Sequence, residues 1–339
     1  MPNRIYAFDT AKFALITLVV VGHFLETFIL GEYSATSRFV GVFIWIYSFH
    51  MPLFIFISGL FLRSFPKDAA FPARRVMMLV MLGFALKAVK VIFFWFQYAH
   101  ETGFQLLGEG GPAWFFFALA AFVAFAWLLR EFKSVPVLLL AIGIGIAVGY
   151  DSSIGDYLYL SRIAVFFPFF WLGYALEPSR VLALTNKLWV RISAVIVLLG
   201  FAWLSIVHTD QIVLIRYLFT GRNSYENIGI VEYGWVIRLG VYAISALMCV
   251  AVIAITPRRE IPVITAFGSR SLQIFFWHFV VINLVATTGI AERLQVATAA
   301  WPFVLVAIAV ASSFVLAYKP LGAPLTWLTT TRQQSPLQH

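Results

Sequence analysis

Charge is scarce in this chain: only 12% of its 339 residues are Asp, Glu, Lys or Arg, while 62% are hydrophobic. A water-soluble fold with that balance would have to hide more apolar surface than one globular core encloses. Cysteine is scarcer still. The single Cys249 excludes an internal disulfide and, among apolar neighbours, reads as a packing residue. The formal net charge of +9 comes with no dense basic tract and no interleaved stacking aromatics, so nucleic acid is not an expected partner. No metal is expected either.

What the chain has in quantity is apolar runs. A membrane-spanning helix needs about 20 mostly apolar residues. Such runs recur near 9–31, 39–63, 74–98, 113–130, 135–150, 161–177, 188–207, 232–256, 264–286 and 301–318. The fold class is therefore all-α, a polytopic integral membrane bundle of about ten transmembrane helices surrounded by the lipid bilayer. Residues 1–328 form one domain, and 329–339 read as a disordered tail. Arg4 and Asp9, ahead of a long run with no small-residue cleavage site, speak against a signal peptide, so the first helix is expected to be retained. Between the runs, fourteen Lys and Arg fall on the side of the amino terminus and five on the other, namely Arg38, Arg162, Arg216, Arg222 and Arg293. The positive-inside rule then puts both termini in the cytoplasm. Pro52 and Pro168 lie inside runs and should kink their helices. The outside loop over 208–231, with Arg216, Arg222, Asn223 and Tyr225, either touches a sugar or is a solvated connector, the connector being the simpler reading.

An ionisable side chain within hydrocarbon costs about 2.5 kcal/mol or more on insertion scales, so each needs a partner or a task. The first run holds Asp9, Lys12, His23 and Glu26. Asp9 with Lys12, and His23 with Glu26, have the spacing of pairs one helical turn apart. Lys12 and His23 share a face about 16 Å apart along the axis. The basic end of that stripe can hold an anion such as a pyrophosphate. The deep imidazole can take a proton from a hydroxyl, with Glu26 orienting it or stabilising its charged form. Paired packing groups are the plainer alternative, but several ionisable residues in one span favour function.

His50 either bonds a carbonyl freed by Pro52 or lines the site, and Ser58-Gly59 permits close helix approach. Lys87 and Lys90 pair with Glu26 or attract an anionic substrate, pairing being the safer expectation. His278 reads as packing and Trp114 as an interfacial anchor. The segment RSFPKDAAFPARR gathers Arg63, Lys67, Arg74 and Arg75 in one inside loop. Lipid headgroups are the usual partner of such a loop, but it shares a membrane face with Lys12 and can also hold the nucleotide phosphates of coenzyme A.

RIYAFDTAKFALITLVVVGH resembles the first helix of the membrane acyltransferase-3 family, with a basic residue and a His at the family's spacing, here Lys12 and His23. SFHMPLFIFISGLFLR is similar to its second-helix signature at His50, Pro52, Ser58 and Gly59. GPAWFFFALAAF resembles its Trp-Phe motif at Trp114, and FGSRSLQIFFWHFVVI its late segment at Gly268, Ser271 and His278. The matches run in family order, with most likeness to the fucose 4-O-acetylase-like branch. Arg270 stands where the family usually has Asn, and no appended soluble hydrolase-like domain is expected.

The resemblance implies a multi-pass inner-membrane O-acyltransferase. It would move an acyl group, most often acetyl, from cytoplasmic acyl-coenzyme A to a hydroxyl of a carbohydrate or glycolipid acceptor. By position it makes His23 the catalytic base and Lys12 its companion, and Arg63, Arg74 and Arg75 candidates for the acyl-coenzyme A phosphates beside Lys12. Glu26 and His50 complete the candidate catalytic set. The rival readings are a proton-coupled secondary transporter using Lys12, His23 and Glu26 as a relay, and a non-catalytic partner in envelope assembly.

Overall fold

The computed structural model describes residues 5–31, 37–62, 64–98, 108, 111–155, 157–323 and 325, with the backbone alone at 93–98. Arg63 and the expected tail over 329–339 lie outside the described residues. In chain order the helices are α1 (Tyr6–Phe24), α2 (Arg38–Tyr47), α3 (His50–Leu60), α4 (Ala73–Tyr98), α5 (Trp114–Leu128), α6 (Ser134–Ala147), α7 (Leu160–Ala175) and α8 (Pro178–Thr185). They continue with α9 (Leu188–Val207), α10 (Thr209–Ile212), α11 (Ile215–Phe219), α12 (Gly234–Ile255), α13 (Pro262–Gly268), α14 (Ser271–Thr287), α15 (Ile290–Ala297) and α16 (Trp301–Leu316). All regular structure among the described residues is helical, as the apolar runs require: in lipid a helix satisfies its backbone groups within itself.

Among the described residues, five segments are long and apolar enough to cross a membrane: Tyr6–Ile29, Arg38–Leu60, Tyr157–Ala175, Leu188–Val207 and Val231–Ile255. The bent pair of α13 and α14 makes a sixth, and α5, α16 and the segment Ser134–Tyr150 are shorter apolar helices. α4 is 26 residues long but carries Arg74, Arg75, Lys87 and Lys90.

Two anticipated runs are broken. The second splits between Tyr47 and His50, because Pro52 has no N–H to continue the ladder and its ring crowds the carbonyl four residues back. The ninth, expected as one helix over 264–286, instead bends by 79° between α13 and α14. Gly268 at the bend lies directly against the backbone of Asp9 in α1, where any Cβ would collide with the Asp9 carbonyl. Arg270 then turns away to donate to the Ala317 carbonyl at 2.8 Å. α7, by contrast, runs continuously through Pro168.

α3 and α7 cross at backbone distance. Gly59 faces the Phe170 carbonyl and Gly173 faces the Phe56 carbonyl, a reciprocal contact open only to residues without a Cβ. Gly59→Val forces these helices apart, at a cost of roughly 1–3 kcal/mol. Thermal unfolding of the purified variant should show a lowered Tm, and an unchanged Tm would contradict this packing.

Candidate active site

α1 stays a regular helix through His23 and then widens into a π-helical turn, Leu25–Ile29, closed by the Leu30 N–H on the Leu25 carbonyl at 2.9 Å. Single π turns of this kind often mark functional positions, and Glu26 sits in this one. Its Oε2 lies 3.5 Å from His23 Nδ1 and accepts a hydrogen bond from the Tyr47 hydroxyl at 3.2 Å. Tyr47 stacks on Phe43 with centroids 3.7 Å apart and meets the His50 ring edge-on at 4.5 Å.

The break before α3 leaves His50 lining the site, while the carbonyl it bonds belongs to Ile46 and not to Ser48, the residue four before Pro52. Its Nδ1 is 2.9 Å from the Ile46 carbonyl, and its ring lines the cavity described next. With Nδ1 donating, Nε2 is left as an acceptor. His278 is packing, as its spacing suggests, but it packs on His23 itself: the rings stack with centroids 5.2 Å apart, and His278 Nδ1 lies 2.6 Å from the Phe275 carbonyl.

His23, Glu26, Tyr47 and His50 open into a cavity of about 240 Å³, whose other walls include Trp114, Arg162, Thr220, Arg222, Phe275 and Phe279. An adjoining chamber of about 370 Å³ shares Glu26, Thr220 and Arg222 and adds Arg216, Tyr217 and Asn223. The loop expected as a connector is therefore a wall of the site. Trp114 likewise does more than anchor an interface, stacking on Phe166 at 5.4 Å beneath the Arg162 guanidinium at 5.1 Å. Arg162, which the charge count assigns to an outside segment, is buried in the first turn of α7 and faces the cavity.

The anticipated pairing of Glu26 with Lys87 or Lys90 is not made among the described residues: the Glu26 carboxylate meets His23 and Tyr47, and both lysines lie elsewhere. Lys87 is buried over the rings of Phe117 and Tyr159 at 5.7 and 5.4 Å and donates to the Gly108 carbonyl at 3.5 Å. Both lysines border a narrow gap beside Gly111 and Pro112, which also line the cavity. Tyr47, Arg162 and Arg222 are the members that sequence reasoning missed. An Arg opening an apolar run was a usable sign for Arg162, and the polar aromatic loop one for Arg222. Tyr47 gave none.

At the other end of α1, Lys12 pairs with Asp9 at 2.8 Å and lies over the Phe61 ring at 5.7 Å. The stripe between is closed: Ile16 is fully buried and Val19 faces the cavity. The structure thus brings His23, Glu26 and His50 together, and leaves Lys12 at the far end of the same helix. Arg74 and Arg75 are exposed at the start of α4. Among the described residues, neither Lys12 nor these arginines line the His23 cavity.

The family model described as "Acyltransferase domain", for the acyltransferase-3 family, matches residues 5–318. The chain belongs to that family. Within it, this member is also similar to nodulation protein NolL of Mesorhizobium japonicum, at 51% identity over 59 residues, which span 17% of this chain and 15% of that protein. No solved structure matches. The acyltransferase domain accordingly occupies almost the whole chain, and the His23 cavity lies inside it.

Access separates the two stacked histidines. Diethyl pyrocarbonate is expected to modify His23, whose side chain keeps 27% of its surface, and to spare His278, which is fully buried. Peptide mass spectrometry reads the order, and equal labelling of both would contradict the arrangement.

Proposed function

We propose that this membrane protein transfers an acyl group, acetyl foremost, from acyl-coenzyme A to a hydroxyl of a carbohydrate or glycolipid acceptor at the inner membrane. One observation carries the proposal: in a member of the acyltransferase-3 family, an imidazole backed by a carboxylate faces a polar, cationic cavity.

Glu26 accepts the Nδ1–H of His23 and leaves Nε2 free to take the proton of the acceptor hydroxyl as its oxygen attacks the thioester carbonyl. The carboxylate, steadied by Tyr47, then stabilises the imidazolium. Negative charge on the former carbonyl oxygen develops among the guanidinium groups of Arg162 and Arg222, fixed positive charges that lower its cost. Collapse breaks the carbon–sulfur bond, and the departing thiolate recovers the proton from His23, giving the ester and free coenzyme A. His50 supplies a further polar wall for the acceptor.

The donor's phosphates are assigned to Lys12, Arg74 and Arg75, with Arg63 in the same loop. Its thioester arm then covers the roughly 16 Å of α1 to His23, displacing Ile16 from the closed stripe. The acceptor enters from the opposite end, through the chamber of Arg216, Tyr217 and Asn223, whose mixed polar and aromatic surface suits a saccharide. A proton-coupled transporter would use the same His23–Glu26 pair as a relay, but family membership favours group transfer.

Purified protein given labelled acetyl-coenzyme A and a saccharide acceptor should form a labelled ester. His23→Ala should lower kcat by about 10²–10⁴-fold with folded yield unchanged; full activity in that variant would overturn the assignment of the base. Arg74→Gln and Arg75→Gln should raise KM for acetyl-coenzyme A while sparing kcat, the signature of lost uniform binding. An unchanged KM would remove both residues from the donor site.

A further inference from the structure

A second concave surface lies apart from the His23 cavity. A groove of about 440 Å³ runs between α7, α8, α9 and α12, floored by small and aliphatic residues such as Ala194, Val197, Ala246 and Cys249. Its lining is apolar along most of its length and becomes polar at Thr185 and Lys187, at the end of the bundle where α9 begins. α9, which forms one wall, has only 17% of its span buried inside the protein, so the groove opens to lipid. Trp189 stands at the same end with 66% of its surface exposed, the position of an interfacial aromatic.

The polar end is cationic, and no carboxylate pairs with it among the described residues. Arg258, in the turn after α12, donates to Thr185 Oγ1 at 2.7 Å, while its Nη1 is buried without a hydrogen-bond partner among the described residues. Lys187, Arg191 and Arg258 make no ion pair with a carboxylate among the described residues; the nearby Glu177 faces Arg180 instead. Burial and the neighbouring charge of Arg191 both push the Arg258 guanidinium below its ordinary pKa. Partly desolvated like charges at one spot are unfavourable unless an anion joins them.

We infer that this groove is a binding site for an anionic phospholipid of the surrounding leaflet, with an acyl chain lying along α9 and α12 and the phosphate held by Lys187 and Arg258. A phosphodiester at Lys187 and Thr185 supplies the counter-charge that this end of the groove lacks among the described residues, with the Arg258 guanidinium directly behind Thr185, and the interfacial depth of Trp189 is the depth of a phosphate group. Basic pockets between membrane helices hold acidic headgroups in this way. The site is independent of the acyl-transfer chemistry: it shares no lining residue with the His23 cavity, although α3 and α7 contribute to both.

The test uses the full-length protein, purified in detergent and delipidated. Dioleoyl phosphatidylglycerol should bind in native mass spectrometry and raise Tm, with dioleoyl phosphatidylcholine binding at least tenfold more weakly. Lys187→Gln and Arg258→Gln should each weaken phosphatidylglycerol binding about fivefold. Ala194→Trp, which fills the groove without touching the charges, should abolish the Tm shift and keeps the test alive where a charge variant does not fold. Equal binding of the two lipids, undiminished binding in both charge variants, or an equal Tm shift from inorganic phosphate alone would each overturn the inference.

Discussion

Hydrocarbon offers an ionised side chain no water, and α1 meets that constraint by placing its ionisable groups as two pairs at its two ends. Asp9 and Lys12 close on each other at 2.8 Å, and His23 approaches Glu26 at 3.5 Å. In the second pair Glu26 also holds the Tyr47 hydroxyl and so ties the end of α1 to α2. Around that shared carboxylate the bundle leaves a polar cavity instead of packing shut, and Arg162 and Arg222 enter it from elements far away in sequence.

Backbone contact holds these elements at the right separation. Apolar side chains gain little from burying against one another when lipid tails are equally apolar, so close van der Waals packing does more of the work. Gly59 and Gly173 let α3 and α7 touch along their backbones, and Gly268 lets α1 press into the bend between α13 and α14. The 79° bend gives α14 a direction of its own, along which His278 stacks on His23 and Phe275 and Phe279 form the cavity wall. A fully buried imidazole behind His23 gives that ring a flat, rigid backing.

Much of this was legible in the residues. Runs of apolar residues place helices because a span has a minimum length, and i,i+3 pairs such as His23–Glu26 are local geometry that any helix enforces. Pro52 marked a break that did form. The ninth run hid its bend, because the cause is not in its own composition: Gly268 yields to the backbone of Asp9, more than 250 positions earlier in the chain. Arg162 counts with the charges between runs, yet the first turn of α7 carries it to the cavity and over Trp114. The expected partnership of Lys87 and Lys90 with Glu26 failed because helix packing carries the lysines elsewhere, Lys87 over the rings of Phe117 and Tyr159 and Lys90 over Phe279.

The residues taken alone determined that this is a helical membrane protein, which side chains are out of place in lipid, and which of them pair within one turn. Those properties depend on hydropathy and on helical spacing, and both are local. Which charges share a cavity, that Lys12 and His23 are separated by packed Ile16, and that a distant loop walls the site were decided only by the tertiary structure. Helix crossings bring together residues tens to hundreds of positions apart, and a crossing is settled by where backbones can touch, a matter of shape that no single segment contains.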